Sequence, residues 1–406
     1  MKVLIISHNA LGDGTNMGQT LQAWFQDFSP EELAQFYIRG IAPGDGTVCR
    51  KHYRFTDVDA LRSLVGRRRK QVENRTAAKA AYRYGRKRTA LSYLLRDALW
   101  KNCRWNGSEF WEWAEAFAPD VVLLASGDHG FLYDVAAEIA ARLDKPLVAA
   151  CVDDFYLYDR WDEEWLGSLA RRRFWRSVQG AMDRAKAIFT ICPAMAGAYE
   201  ALFGKKCRVL YTPADPRPEA PEDCTGDIVY LGNVSLKRNE QLAQIGRALQ
   251  KLDIPGGPNV LHVYSGERDP QMLQGLTPEN GICFHGAVDR EQARALLRGA
   301  LAAVHVESFD AKLRSRLRFS ISTKIPQILA EGPCLIAYGP EGIASMDYLK
   351  EKGGAFTITD PAELEDKLGQ ILSDTALRRE IRDRGRLVAE QNHRPGALRR
   401  YLEELL

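Results

Sequence analysis

The sequence predicts an α/β protein built from two doubly wound domains that face each other across a cleft. Three observations carry that expectation. At 406 residues the chain exceeds what one ordinary hydrophobic core supports, so two domains of about 200 residues follow. Short apolar runs alternate with helix-period segments almost throughout, which is the pattern of parallel sheets wrapped by helices. Residues 213–226, PADPRPEAPEDCTG, carry four prolines and no periodicity, and read as a linker.

Taken in order, KVLIIS, QFYIRG, DVVLLAS, PLVAACV, AIFTIC and RVLYT are the strand candidates of the first half. After the linker, DIVYLGN, NVLHVYSG, GICFHG, LAAVHVES, PCLIAYG and AFTIT repeat the pattern. The expected domains are 1–212, with a basic helical insertion at about 60–118, and 226–390. Residues 391–406 read as a C-terminal helix that returns to the first domain.

Composition, 45% hydrophobic and 27% charged without a low-complexity tract, is that of a soluble enzyme. The run VLII is too short for a signal-peptide core, and no stretch approaches the roughly 20 apolar residues of a membrane span. A cytoplasmic protein is expected. The eight cysteines form no CxxC pair and show no histidine at ligand spacing, so reduced thiols and no metal are expected.

Net charge is only +3, and nothing points to nucleic acid, but charge is unevenly placed. Fourteen Lys/Arg against Glu73 and Asp97 lie between Arg62 and Arg104, running into Trp100, Trp105, Trp111 and Trp113. Such a segment can rest peripherally on an anionic inner-membrane face or accept phosphorylated substrates. The plainer reading, a solvated helix face with core tryptophans, is preferred.

In doubly wound sheets ligands lie beyond the carboxyl ends of strands, so the residues after each strand are the ones to read. Gly12, Gly14 and Gly18 form a late GxGxxxG before a helix, and Arg39 would suit a 2′-phosphate, which keeps an NADP-dependent oxidoreductase as an alternative. Asp128 and His129 place a titratable pair that can orient an acceptor hydroxyl, or simply cap a helix. Asp153 and Asp154 read as caps rather than metal ligands. Gly232 and Asn233 lead into Lys237 and Arg238, which can hold a diphosphate as paired cations. Ser322, Thr323 and Lys324 stand at a helix mouth whose free N–H groups favour an anion. The backbone at His285 and Gly286 can meet a nucleobase edge between these two junctions.

KVLIISHN with the Asn16-Met17-Gly18 loop, FTICPAMAGAYEALFG, GNVSLKRN, FHGAVDRE and above all STKIPQILAEGP resemble a bacterial GT-B glycosyltransferase of the group 1, family 4-like class. The resemblance spans essentially the whole chain. It implies two Rossmann-like domains, donor diphosphate at Ser322, Thr323 and Lys324, a second phosphate contact at Lys237, and a base pocket from His285 to Val288. It also implies metal-independent transfer with retention, and His129 as the active-site histidine. Where the family has a glutamate that grips the donor ribose, this chain has Gln327, an amide without charge-assisted strength.

The expectation is therefore a glycosyltransferase that moves a sugar from a UDP- or GDP-linked nucleotide sugar, with no other cofactor, to a glycan or lipid-linked hydroxyl in cell-surface polysaccharide assembly. His129, Lys237 and Lys324 are the expected catalytic residues, with Asn16, Gly18 and Asp128 on the acceptor side. An inactive GT-B scaffold protein is a further alternative, because of Gln327.

Overall fold

The computed structural model describes residues 1–44, 46–67, 89–157, 164–215, 226–252, 254 and 257–406. The basic residues from Arg68 to Arg88, and most of the linker, fall outside the described residues.

Two parallel sheets organise two compact units, residues 1–211 with 395–406 and residues 212–394. The first sheet has β1 Val3–Ser7, β2 Leu33–Tyr37, β3 Lys51–Arg54, β4 Val121–Ala125, β5 Leu147–Cys151, β6 Ala185–Thr190 and β7 Cys207–Val209. Its order is β3-β2-β1-β4-β5-β6-β7. The second has β8 Ile228–Leu231, β9 Leu261–Tyr264, β10 Ile282–Gly286, β11 Ala302–Val306, β12 Cys334–Tyr338 and β13 Phe356–Ile358, ordered β10-β9-β8-β11-β12-β13. The order in which strands are added reverses at β1/β4 and at β8/β11. Those two switch points are where a doubly wound sheet opens a ligand crevice.

Every residue of β1, β2, β4, β5, β11 and β12 is buried, as continuous apolar runs covered by helices on both faces require. The strand the sequence reading missed is β3: KHYR buries only Tyr53 and pairs only with β2 at the sheet edge. Of the tryptophans beside the basic segment, Trp100, Trp105 and Trp111 are core residues of the first unit, and Trp113 packs on Tyr53 and Phe110. They are therefore not held out toward a membrane. No described helix is long and apolar enough to cross one.

The closing helix, Ala397–Glu403, belongs to the first unit through Arg399, which is bound by Glu32 at 2.7 Å and faces Asp27 at 3.5 Å. In the second unit His393 is fully buried between Thr212 and Tyr348. The Thr212 carbonyl can only accept, so the proton must sit on His393 Nδ1 (2.9 Å), leaving Nε2 to accept from the Tyr348 hydroxyl at 2.8 Å. Burial drives the imidazole pKa down to about 4.

The unfolded imidazole, at about 6.5, binds protons that the folded one refuses, so this site costs stability as pH falls from about 6.5 to 4 and adds nothing further below. His393→Gln is expected to lower stability at neutral pH and to flatten the acid slope between pH 6.5 and 4 by up to roughly 3 kcal/mol, read by urea unfolding at each pH. An unchanged slope would remove His393 as its source.

Candidate active site

The second unit's site grows from the turns after β8 and β11. Gly232 ends β8 with its N–H bonded to the Tyr264 carbonyl at 3.1 Å. Asn233 then folds the turn, its Oδ1 accepting from Ser235 N at 2.6 Å. Leu236 and Lys237 both adopt positive φ, 60° and 59°, which non-glycine residues accept only under outside constraint. Lys237 is the N-cap of helix Arg238–Lys251, and its half-exposed ammonium reaches Asp310 Oδ2 at 2.7 Å. A residue after β8 is thereby tied to one after β11.

Arg238 does not join Lys237 as a second outward cation. Its guanidinium turns inward, donating to both oxygens of buried Glu307 (3.1 and 2.9 Å) and to the Val306 carbonyl at 3.2 Å. Burial alone would raise the Glu307 pKa, but His305 at 3.2 Å and Arg238 outweigh it and hold the carboxyl below its usual range. The physical reason for the inward turn is desolvation: a buried carboxylate just after β11 needs a fixed cation. On β12's far end Gly339 makes room, since a Cβ there would come within 2.9 Å of Glu307 Cβ.

Ser322, Thr323 and Lys324 stand together at the mouth of helix Lys324–Glu331, as the sequence indicated. Ser322 Oγ accepts from Lys324 N at 3.3 Å, Ser322 N is held by Ser345 Oγ at 3.0 Å, and Thr323 makes no side-chain cap bond. Pro326 fits because it falls in the first turn. Lys324 is exposed by surface area, yet enough protein crowds its ammonium that desolvation, with repulsion from Arg290 second, lowers its pKa. Gln327 is half-buried one turn further along. His285 is exposed at the end of β10, and Gly286 beside it takes φ 81°. Val288 follows in the same turn, which runs into helix Arg290–Gly299. Arg290 thus links that turn electrostatically to Lys324.

In the first unit, Asp128 and His129 end β4 next to β1. Asp128 is buried and accepts from the Tyr93 hydroxyl at 2.8 Å, with His129 Nε2 at 3.5 Å. His129 makes no side-chain cap to the helix it precedes; instead its Nε2 meets Arg96, and its ring lies 4.8 Å from Tyr93 and 5.9 Å from His8. Burial, then Arg96, holds His8 near pKa 4, so it is neutral at pH 7. Tyr93, Arg96 and His8 were missed by sequence reasoning. The first two sit in the basic segment, where charge density masked their individual roles, although Tyr93 and Arg96 share a face at helical i,i+3 spacing.

Asn16 is exposed at the first turn of helix Asn16–Trp24. Gly18 is buried for a packing reason: a Cβ would meet Asp13 Oδ1 at 2.3 Å and Ala10 O at 2.8 Å. Its own loop, not a ligand, occupies that space. Arg39 faces Asp13 at 3.8 Å. Asp154 accepts from Leu157 N and the Tyr199 hydroxyl, as a loop cap does. Sequence spacing pointed away from metal ligands, yet His262, Cys283 and His285 gather their donor atoms within 4.8 Å of one another, because they lie on neighbouring strands.

Two Rossmann-like domains in tandem, the second with cations and a helix mouth at its switch point, define the GT-B architecture. The Glycosyl transferase 4-like domain matches residues 47–215 and the Glycosyl transferase-like domain residues 238–403. The chain belongs to the group 1 GT-B glycosyltransferases and is a glycosyltransferase. Among solved structures it is similar to the HepE protein of Anabaena in complex with UDP (14% identity, 100% of this chain and 99% of that one, TM-score 0.63). It is also similar to sucrose-phosphate synthase of Thermosynechococcus elongatus (12%, 100% and 98%, 0.63). A third likeness is to the UDP-forming α,α-trehalose-phosphate synthase of Burkholderia xenovorans in complex with glucose-6-phosphate (12%, 100% and 100%, 0.60). None of the curated proteins matches the chain by sequence.

Because Glu307 is buried and held by Arg238, removing its charge strands a buried guanidinium. Glu307→Ala is expected to destabilise the second unit by about 3 kcal/mol in denaturant unfolding, whereas Lys237→Ala, at an exposed pair, is expected to leave the unfolding midpoint nearly unchanged. Equal effects from the two substitutions would contradict the inward role of Arg238.

Proposed function

We propose that the chain transfers a sugar from a UDP- or GDP-linked donor to an acceptor hydroxyl, with retention and without a metal at the diphosphate. The observation that carries this reading is the mouth of helix Lys324–Glu331: the Ser322 and Thr323 hydroxyls, and a lysine whose pKa is lowered by crowding and by Arg290. A cation pressed by protein and by another cation gains most from an arriving anion, and gains further as the leaving group's charge grows. HepE, whose structure holds UDP, supports the donor class.

In this reading the bond from the anomeric carbon to the diphosphate breaks with its electron pair going to the phosphate oxygen. The acceptor oxygen bonds that carbon, and its proton passes to the departing diphosphate. Lys324 and the helix mouth take the growing charge, and Lys237 exchanges Asp310 for phosphate. Gly286 and Val288 border the base, with Gln327 near the ribose. In the first unit, His129, oriented by Asp128 and Arg96, positions the acceptor, a glycan or lipid-linked hydroxyl. The basic residues from Arg62 to Arg104 suit an acceptor that carries phosphate, as in cell-surface polysaccharide assembly.

Thermal-shift measurement with UDP and GDP tests the donor assignment, since a ligand of the folded form raises the melting temperature. Lys324→Ala is expected to cut transfer by about 10²-fold or more, with the unliganded melting temperature nearly unchanged. Full activity in that variant, or no response to any nucleoside diphosphate, overturns the proposal.

A further inference from the structure

We propose that His262, Cys283 and His285 form a binding site for a zinc-class transition metal on the outward face of the second sheet's edge. The inference does not rest on the donor assignment. β10 is the last strand of the sheet and pairs in parallel with β9, with Cys283 directly opposite His262. Leu261, Val263 and Ile282 go into the apolar core with Leu242, Ile245 and Leu249. Strand alternation then puts His262 and Cys283 on the opposite face. The register slips between Phe284 and Gly286, so His285 is the extra residue of a bulge. A bulge re-aims a side chain. Here it brings His285 Nε2 to 2.8 Å from His262 Nδ1, and stacks the His285 ring on Tyr264 at 4.5 Å.

The donor set is specific in its chemistry. One thiolate and two imidazoles suit zinc and its neighbours, while magnesium and calcium prefer oxygen. With Nδ1 of His262 turned to the site, its Nε2 lies 3.6 Å from Asp227 Oδ1. A carboxylate thus stands on the far side of the ring, where an outer-shell partner of a ligating histidine belongs, and a small ring rotation would bring it within hydrogen-bond reach. Two ring nitrogens aimed at each other need a shared proton, and a metal ion takes that proton's place. Tetrahedral ligation at about 2.0–2.1 Å asks the nitrogens to part by only about half an ångström. His285 is exposed, so an ion can enter, and water can fill the fourth position. Bound metal would brace the two outermost strands just before the turn at Gly286.

Cobalt(II) is the probe. Metal-stripped full-length chain is titrated with cobalt alone, then with zinc. One equivalent is expected, with a thiolate-to-cobalt charge-transfer band and the visible bands of tetrahedral cobalt, both erased by zinc. Cys283→Ser is expected to abolish the charge-transfer band. His285→Ala, at an exposed position, and Asp227→Asn are each expected to weaken cobalt binding by at least about 10-fold, and zinc should raise the melting temperature of the unsubstituted chain more than that of any of the three variants. Absence of tetrahedral cobalt, or a charge-transfer band that survives in Cys283→Ser, overturns the site.

Discussion

The buried ion pair of Arg238 with Glu307 is the constraint on which the second domain's switch point depends, because it stands where the order of strands reverses. Glu307 follows β11 and Arg238 opens the helix after β8, so their two-oxygen contact fastens together the halves of a sheet that winds away on both sides. A buried carboxylate is costly unless it is matched, and the geometry here supplies a guanidinium, His305 and a glycine-lined gap. Arg238 points inward to Glu307 while its predecessor Lys237 turns outward to Asp310, through two consecutive left-handed residues. Such a strained turn persists where the surrounding structure over-determines it, and the ion pair beside it is one such constraint.

The first domain repeats the logic with a different carboxylate. Asp128, buried at the end of β4, takes the Tyr93 hydroxyl and faces His129, which Arg96 contacts from the same helix as Tyr93. Arg96 is itself anchored by Asp57 at 2.9 Å, and Trp100 Nε1 donates to the same carboxylate oxygen at 2.7 Å. A helix that reads in sequence as a stretch of positive charge is therefore also the support for the histidine beside it. Trp100, stacked on Phe131 at 4.5 Å, supplies the packing that fixes the helix in place.

The sheet cores were legible because buried parallel strands are continuous apolar runs, and VLIIS, VVLLA and CLIAY cannot be mistaken for solvent-facing segments. β3 was not, because KHYR lies at an edge and buries one residue. The helix mouth at Ser322–Lys324 was legible for a local reason: hydroxyls, a lysine and an early proline all belong to one helix start. Arg238 and Lys237 were indistinguishable in sequence, since what separates them is Glu307, contributed by another strand. The same holds for His262 with Cys283 and His285, and for Arg96 with His129. Partners brought together across a sheet leave no spacing for a linear reading to find. At Gly18 the same spacing has two readings: glycines that suit a pyrophosphate equally suit a loop folded onto itself, and a Cβ there would meet Asp13 and Ala10.

The cations of the second domain are not equivalent, and the difference bears on how an anion would be received. Lys237 has its pKa raised by Asp310, so its charge is already answered, and a phosphate must compete with a carboxylate for it. That competition is between exposed groups in water, where each contact is weak and exchange is easy. Lys324 is in the reverse state, its ammonium disfavoured by desolvation and by Arg290. An arriving anion relieves the repulsion and compensates the lost hydration together, so its binding free energy there is coupled to the charge it brings. Under the proposed function, a leaving group that gains negative charge during bond cleavage would be held more strongly at Lys324 as the reaction advances, whereas Lys237 would chiefly orient it. Differential binding of this kind accelerates a step, and uniform binding does not.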